Sequence, residues 1–272
     1  MKTIFQSARL GRIVAITVLS LGAVASVAYA SHSWGGYHWA RTANPFTLKL
    51  GDNVSSAWDS YLAAASSDWN SSATSTYPAV LFTTVVSGQA SKNCRPTAGK
   101  VEVCNSKYGK NGWLGIASIW ASGSHITQGT VKLNDTYFNT AKYNTPAWKQ
   151  FVVCQEIGHT FGLDHQDEIF GNPNLGTCMD YTSDPDGTLL GQLSNQEPNL
   201  HDFEELAAIY AHLDVFVTLA SQTSSALASD IDTSHSSEWG KAVRASAHGR
   251  AVLYERDLGN REKLFTFVIW AD

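Results

Sequence analysis

The chain has 272 residues, 43% of them hydrophobic and nine of them Trp, a composition that excludes a disordered or low-complexity protein. Its formal net charge is −5, and residues 1–30 hold three of the cations (Lys2, Arg9, Arg12) and no acid. The remainder therefore carries 16 Lys+Arg against 24 Asp+Glu, a net −8 that argues against nucleic acid and against anionic membrane surfaces as partners.

Residues 1–30 read as an export signal: a basic start, the apolar run Ile13 to Val27, and Ala28-Tyr29-Ala30 as a small-x-small cleavage site. The run is short for a span and contains Thr17 and Ser20. A secreted, extracellular product starting near Ser31 is expected, about 240 residues long and without a membrane segment. Next in order, Asp52 to Trp69 has a helical stripe (Val54, Trp58, Tyr61, Leu62, Ala65, Trp69) with Asp52 placed as N-cap. Ala79 to Val86 is β-branched and reads as a buried strand. Trp113–Trp120 and Ile126–Leu133 read as two more, separated by Ser122-Gly123-Ser124. Ala147 to Leu163 is a predicted helix with Thr145 as N-cap, Pro146 at its first position and Gly162 near its end. His201 to Leu213 is a second helix. Ser221 to Ser237 is rich in Ser, Thr, Ala and Asp and reads as a linker, followed by short strands at Ala251–Tyr254 and Leu264–Trp270. These elements predict an α/β protein in three parts: a signal over 1–30, a main domain over 31–214 and a tail over 215–272.

All four Cys follow the signal, which fits an oxidising compartment. Local pairing, Cys94 with Cys104 and Cys154 with Cys178, is favoured, with two other connectivities open. No Cys-x-x-Cys favours a cysteine metal site.

Chemistry concentrates in Gln155-Glu156-Ile157-Gly158-His159-Thr160-Phe161-Gly162-Leu163-Asp164-His165. Residues 155 and 159 project from nearly one helix face, about 40° from eclipsed. Gly162 lets the chain leave the helix sharply, so that His165 returns toward His159 and two imidazoles face one ion. Glu156 then lies beside the metal-facing edge, where a carboxylate can take a proton from a metal-activated water.

The stretch resembles the metzincin signature His-Glu-x-x-His-x-x-Gly-x-x-His at every specified position except the first, where Gln155 stands in place of a ligand His. Downstream, Cys178-Met179-Asp180-Tyr181 is similar to the family's Met-containing turn, with Tyr181 matching the Tyr that some members place near the metal. The resemblance covers roughly residues 37–213 and looks closest to secreted matrixin-like peptidases. It implies a twisted mixed sheet with an active-site helix, a Met-turn and a C-terminal helix. It also implies a zinc endopeptidase acting on protein or peptide substrates as a monomer, with Glu156 as general base and Tyr181 beside the oxyanion. Trp113–Trp120 and Ile126–Leu133 would form the edge region lining its substrate cleft.

Gln155 leaves three possibilities, ranked in this order. It ligates zinc weakly through its neutral oxygen; Asp164, Asp167 or another His completes the site; or the metal is lost and a binding scaffold remains. The remaining histidines (His32, His38, His125, His201, His212, His248) lack ligand spacing, and His125 alone lies near the expected cleft. The Asp-rich Ser183–Gly187 loop offers oxygens to calcium, although an acidic turn is usually only a turn. The tail from 215 is outside the resemblance, and a binding role around Trp239 to Trp270 is the alternative it offers to catalysis.

Overall fold

The computed structural model describes residues 31–71, 78–89, 93–219, 231–246 and 248–271. The expected export signal, and residues 221–230 of the expected linker, lie outside these. The fold is mixed α/β, dominated by one large twisted sheet with few helices. No helix among the described residues is long and apolar enough to cross a membrane.

The strands are β1 (His38–Trp39), β2 (Phe46–Asn53), β3 (Leu81–Ser87), β4 (Val101–Ser106), β5 (Trp113–Ser122), β6 (His125–Asn134), β7 (Lys241–Ala245), β8 (Ala251–Gly259) and β9 (Glu262–Trp270). They run in the order β3-β2-β4-β6-β5-β9-β8-β7, with β1 pairing to β6. The half containing β3, β2, β4 and β6 is parallel; β5, β9, β8 and β7 are joined by antiparallel pairings. The helices are α1 (Asp59–Trp69), α2 (Asp135–Phe138), α3 (Pro146–His159) and α4 (Leu200–Ile209).

The first predicted helix is shorter than expected. Asp52 belongs to β2, where Phe46, Leu48 and Leu50 point inward and Thr47 and Lys49 outward, the period-2 alternation of a half-buried strand. Helix α1 begins only at Asp59 and buries Leu62, Ala65 and Trp69. Together with α3 it covers one face of the sheet, and the main core lies between them. On the other face, Trp239 packs with Trp113, Ile116 and Val268, and buried Lys132 reaches Asp232 at 3.1 Å and Ser234 at 2.9 Å.

The expected cleft edge is not an edge. Strand β5 pairs with β6 on one side and, from Trp113 to Ser122, with β9 on the other. Nine of its ten residues are buried, so both of its faces are interior. The segment from residue 215 onward accordingly supplies three strands to the same sheet instead of standing apart from it.

The disulfides are Cys94–Cys104 and Cys154–Cys178, the local pairing. The second joins α3 to the loop carrying Met179 and Tyr181. Closing 24 residues of chain in this way is worth about 3 kcal/mol by loop-entropy reasoning.

Candidate metal centre

Helix α3 starts as its sequence requires. Thr145 Oγ1 accepts the Trp148 N–H at 3.2 Å, and Pro146 takes the first turn, where no amide is needed. Its far end is held by side chains from elsewhere. The carbonyl of His159 accepts from Trp34 Nε1 at 3.2 Å, that of Thr160 from Trp39 Nε1 at 2.8 Å, and that of Phe161 from the Tyr210 hydroxyl at 2.8 Å. The carbonyls of Thr160 and Phe161, beyond the last backbone bonds of the helix, are thereby satisfied in the core, while that of His159 also accepts the Gly162 N–H at 3.1 Å. Gly162 then turns the chain with φ +104°, and a Cβ there would strike the Tyr37 carbonyl oxygen. Glycine is required on both counts.

This turn brings His165 back onto His159. Their Nε2 atoms are 3.0 Å apart and their rings nearly perpendicular. His159 Nδ1 lies 2.9 Å from the Leu163 carbonyl, and His165 Nδ1 lies 3.1 Å from Glu168 Oε1. Both partners are acceptors, so each Nδ1 carries a proton and the two Nε2 atoms are left facing each other across 3.0 Å. A cation between them would take both Nε2 atoms, and Nδ1 anchoring of this kind is what orients histidine ligands.

Gln155, one turn back on α3, donates from Nε2 to the Cys178 carbonyl at 2.8 Å; its Oε1 is buried without a partner. Glu156 is fully buried, and neither carboxylate oxygen has a hydrogen-bond partner. Burial pushes its pKa well above the ordinary carboxylate range, against a weaker pull from the nearby backbone of Ile269 and Ala117. Burial, reinforced by the neighbouring His165, holds His159 well below its ordinary value. The two aimed nitrogens are what fits a cation, and the same helix carries an orphaned amide oxygen at Gln155 and a buried carboxyl at Glu156.

Beneath α3 lies Met179. A Cβ at Gly158 would stand 2.5 Å from its Sδ and 2.7 Å from Trp69, so the close approach depends on glycine. The turn is pinned by Met179 N–H to Thr177 Oγ1 (3.0 Å) and Tyr181 N–H to the Asp167 carbonyl (3.1 Å). Tyr181 places its ring 4.5 Å from that of His165, and its hydroxyl donates to the Val268 carbonyl at 3.2 Å. Burial, with Glu168 and Glu156 nearby, keeps this phenol well above its ordinary pKa.

Of the carboxylates considered as replacements for a missing His, Asp164 stays close to His165, its Oδ1 3.7 Å from Nδ1 and grouped with Glu168, but on the Nδ1 side of the ring and with other partners. Asp164 is clamped by both terminal nitrogens of Arg244, and Asp167 accepts from the Ile169 N–H at 2.5 Å and Asn172 at 2.8 Å. Glu168 is drawn below its ordinary pKa, burial notwithstanding, by the His165 hydrogen bond and the Arg244 charge. In the Ser183–Gly187 loop, Asp184 accepts the backbone N–H groups of Leu189 and Leu190, and Asp186 accepts from Thr188. Both side chains thus brace the loop itself.

What the sequence left out is the cover. Phe267 of β9 stacks on His159 at 4.0 Å with only 11° between the rings, Val268 occupies the Tyr181 hydroxyl, and Arg244 of β7 reaches Asp164 and Glu168. Exposure is 1% at His159, 7% at His165 and 0% at Gln155 and Glu156, so the centre is sealed. A second departure concerns the histidines judged to lack ligand spacing. His38, His125 and Asp214 come together, far from one another in sequence but adjacent through strand pairing and the exit from α4, and His212 lies beside them, 3.1 Å from His38. Only the spacing of His212 and Asp214 hinted at this.

No protein-family model matches the chain, and no curated protein sequence matches it.

Proposed function

We propose that the chain is a secreted metzincin-type zinc metalloendopeptidase held latent by its own C-terminal strand. The observation that carries this reading is the pair of anchored imidazoles facing across 3.0 Å, beside a buried, unpartnered Glu156 and above a Met-containing turn. His159 and His165 would hold the zinc, with Gln155 Oε1 as a weak third donor. Zinc there would supply Lewis acidity toward a carbonyl and toward water. Glu156 takes the proton from the attacking water and passes it to the leaving amine. The Tyr181 hydroxyl, once released from Val268, donates to the developing oxyanion. An extended peptide would pair with β5 in the place β9 now takes, because a strand edge recognises backbone irrespective of side chains. Export agrees with the two disulfides and the signal-like segment.

The test is peptide cleavage by zinc-loaded, full-length protein before and after severing an inserted protease site at 248–250, which detaches β8 and β9 from the preceding chain. Cleavage that stops on chelation and in Glu156→Gln supports the reading. A zinc-loaded protein that cuts nothing from a broad peptide set in either form overturns it.

A second reading, a catalytically impaired scaffold that binds extracellular partners, is favoured by Gln155 itself. Its amide is committed to the Cys178 carbonyl, and neutral oxygen is a poor zinc donor. Hydrolysis appearing only in Gln155→His would establish that reading.

A further inference from the structure

His38 on β1 and His125 at the start of β6 are opposed in the parallel register of those strands, while His212 and Asp214 follow α4. Asp214 Oδ1 lies 3.2 Å from His125 Nε2, 3.5 Å from His38 Nε2 and 3.9 Å from His212 Nε2. The Nε2 atoms of His38 and His212 are 3.1 Å apart. One imidazolium would suffice to pair a single carboxylate. Three imidazoles converge here, and two of them meet nitrogen to nitrogen.

The surroundings aim these atoms. His38 Nδ1 lies 2.8 Å from the Gly36 carbonyl and must donate to it, so a neutral ring presents its lone pair at Nε2. The other carboxylate oxygen, Asp214 Oδ2, accepts from Arg41 N at 3.2 Å and Arg41 Nη1 at 3.0 Å, which leaves Oδ1 for the histidines. Arg41 is 1% exposed, and its Nη2 also donates to the carbonyls of Tyr210 and His212. One buried guanidinium thus fixes both the carboxylate and the backbone that carries His212.

The geometry points to a second metal site, a zinc ion held by Nε2 of His38, His125 and His212 and by Oδ1 of Asp214. Zinc bonds of about 2.0–2.2 Å in a tetrahedron place neighbouring donors about 3.3 Å apart; His38, His125 and Asp214 offer three atoms within 4.8 Å of one another, and His212 Nε2, 3.1 Å from His38 and 3.9 Å from Asp214, reaches the fourth corner by a turn of its exposed ring. Three imidazoles and one carboxylate select zinc over magnesium or calcium. With every corner supplied by protein, the site is structural. It ties β1, the β5–β6 turn and the chain leaving α4 into one unit. The His212 side chain is 55% exposed, which gives the ion a route from solvent.

The site stands independently of the reading of His159 and His165, and the test separates the two. Full-length protein is stripped with EDTA, reloaded with Zn2+ and desalted, beside His125→Gln/His212→Gln and the milder rim variant His212→Gln. Any ion at His159–His165 contributes equally to all three and cancels. The wild type is expected to retain one zinc per chain more than the double variant and to gain several degrees more in Tm on reloading. His212→Gln is expected to hold that ion at least about tenfold more weakly against a chelator. With Co2+ instead, the intense visible bands of a tetrahedral ion are expected to weaken in the double variant. Equal zinc content and equal thermal response in the wild type and both variants overturn the proposal.

Discussion

The two histidine groups are built from similar parts and placed in opposite circumstances. His159 and His165 are six residues apart, come from one helix and the turn after it, and lie sealed beneath β9. His38, His125 and His212 are drawn from three distant parts of the chain and lie near the surface, with His212 half exposed. The rim group has a full set of four donors and an arginine to aim its carboxylate. The sealed group has two good donors, a doubtful third in Gln155, and a carboxyl in Glu156 that nothing satisfies. A complete, braced donor set suits a structural ion. On the proposed reading, an incomplete set beside a buried carboxyl of raised pKa leaves a corner for water and substrate.

Four experiments press on this contrast. The largest effect is expected from Glu156→Gln, which should lower chelator-sensitive peptide hydrolysis about a thousandfold with zinc content unchanged; a fluorogenic peptide assay beside metal analysis checks it, and undiminished turnover would remove Glu156 from the reaction. Phe267→Ala removes the ring stacked on His159 and should cost about 3–5 kcal/mol in denaturant unfolding. It should also raise hydrolysis by uncovering the centre, without altering metal content at the rim. A smaller effect, linked to pH, belongs to the turn under the sealed centre. Burial raises Asp180 from 3.8 to about 6, so the folded protein keeps a proton that the unfolded chain has released. The associated stability is complete below pH ~4 and is lost as the pH rises through ~6, about 3 kcal/mol in all. Wild-type unfolding free energy should therefore fall relative to Asp180→Asn across that window; parallel pH curves would deny the shift. Gln155→His should strengthen zinc retention at α3 by about 10- to 100-fold in chelator competition, with the rim ion unaffected.

Much of the fold was legible in local pattern, and the misses share a cause. Thr145, Pro146 and Gly162 delimit α3 because caps and breakers act on their neighbours, and the helix ends close to where they predict. Helix α4 was placed by its apolar stripe, and its start carries a reciprocal capping box between Asn199 and Asp202. The error at Asp52 arose from taking a polar residue for a helix cap where Phe46-Thr47-Leu48-Lys49-Leu50 already alternates as a strand. The burial of β5 also had a signal. Trp113 to Trp120 is small or apolar throughout, whereas an exposed edge usually carries charge or alternates.

The sequence alone determined the contents of the α3 centre: Gln155, Glu156, His159 and His165 at helical and turn spacing, Met179 and Tyr181 after them, and the cysteines that join helix to turn. Tertiary structure alone decided that β9 covers this centre, that Arg244 and Phe267 touch it, and that His38, His125, His212 and Asp214 meet. The physical reason is range. Spacing along a helix converts directly into direction in space, so nearby residues announce their geometry. Strand pairing is made by backbone groups common to every residue, and which apolar strands become neighbours is settled only when the whole sheet assembles.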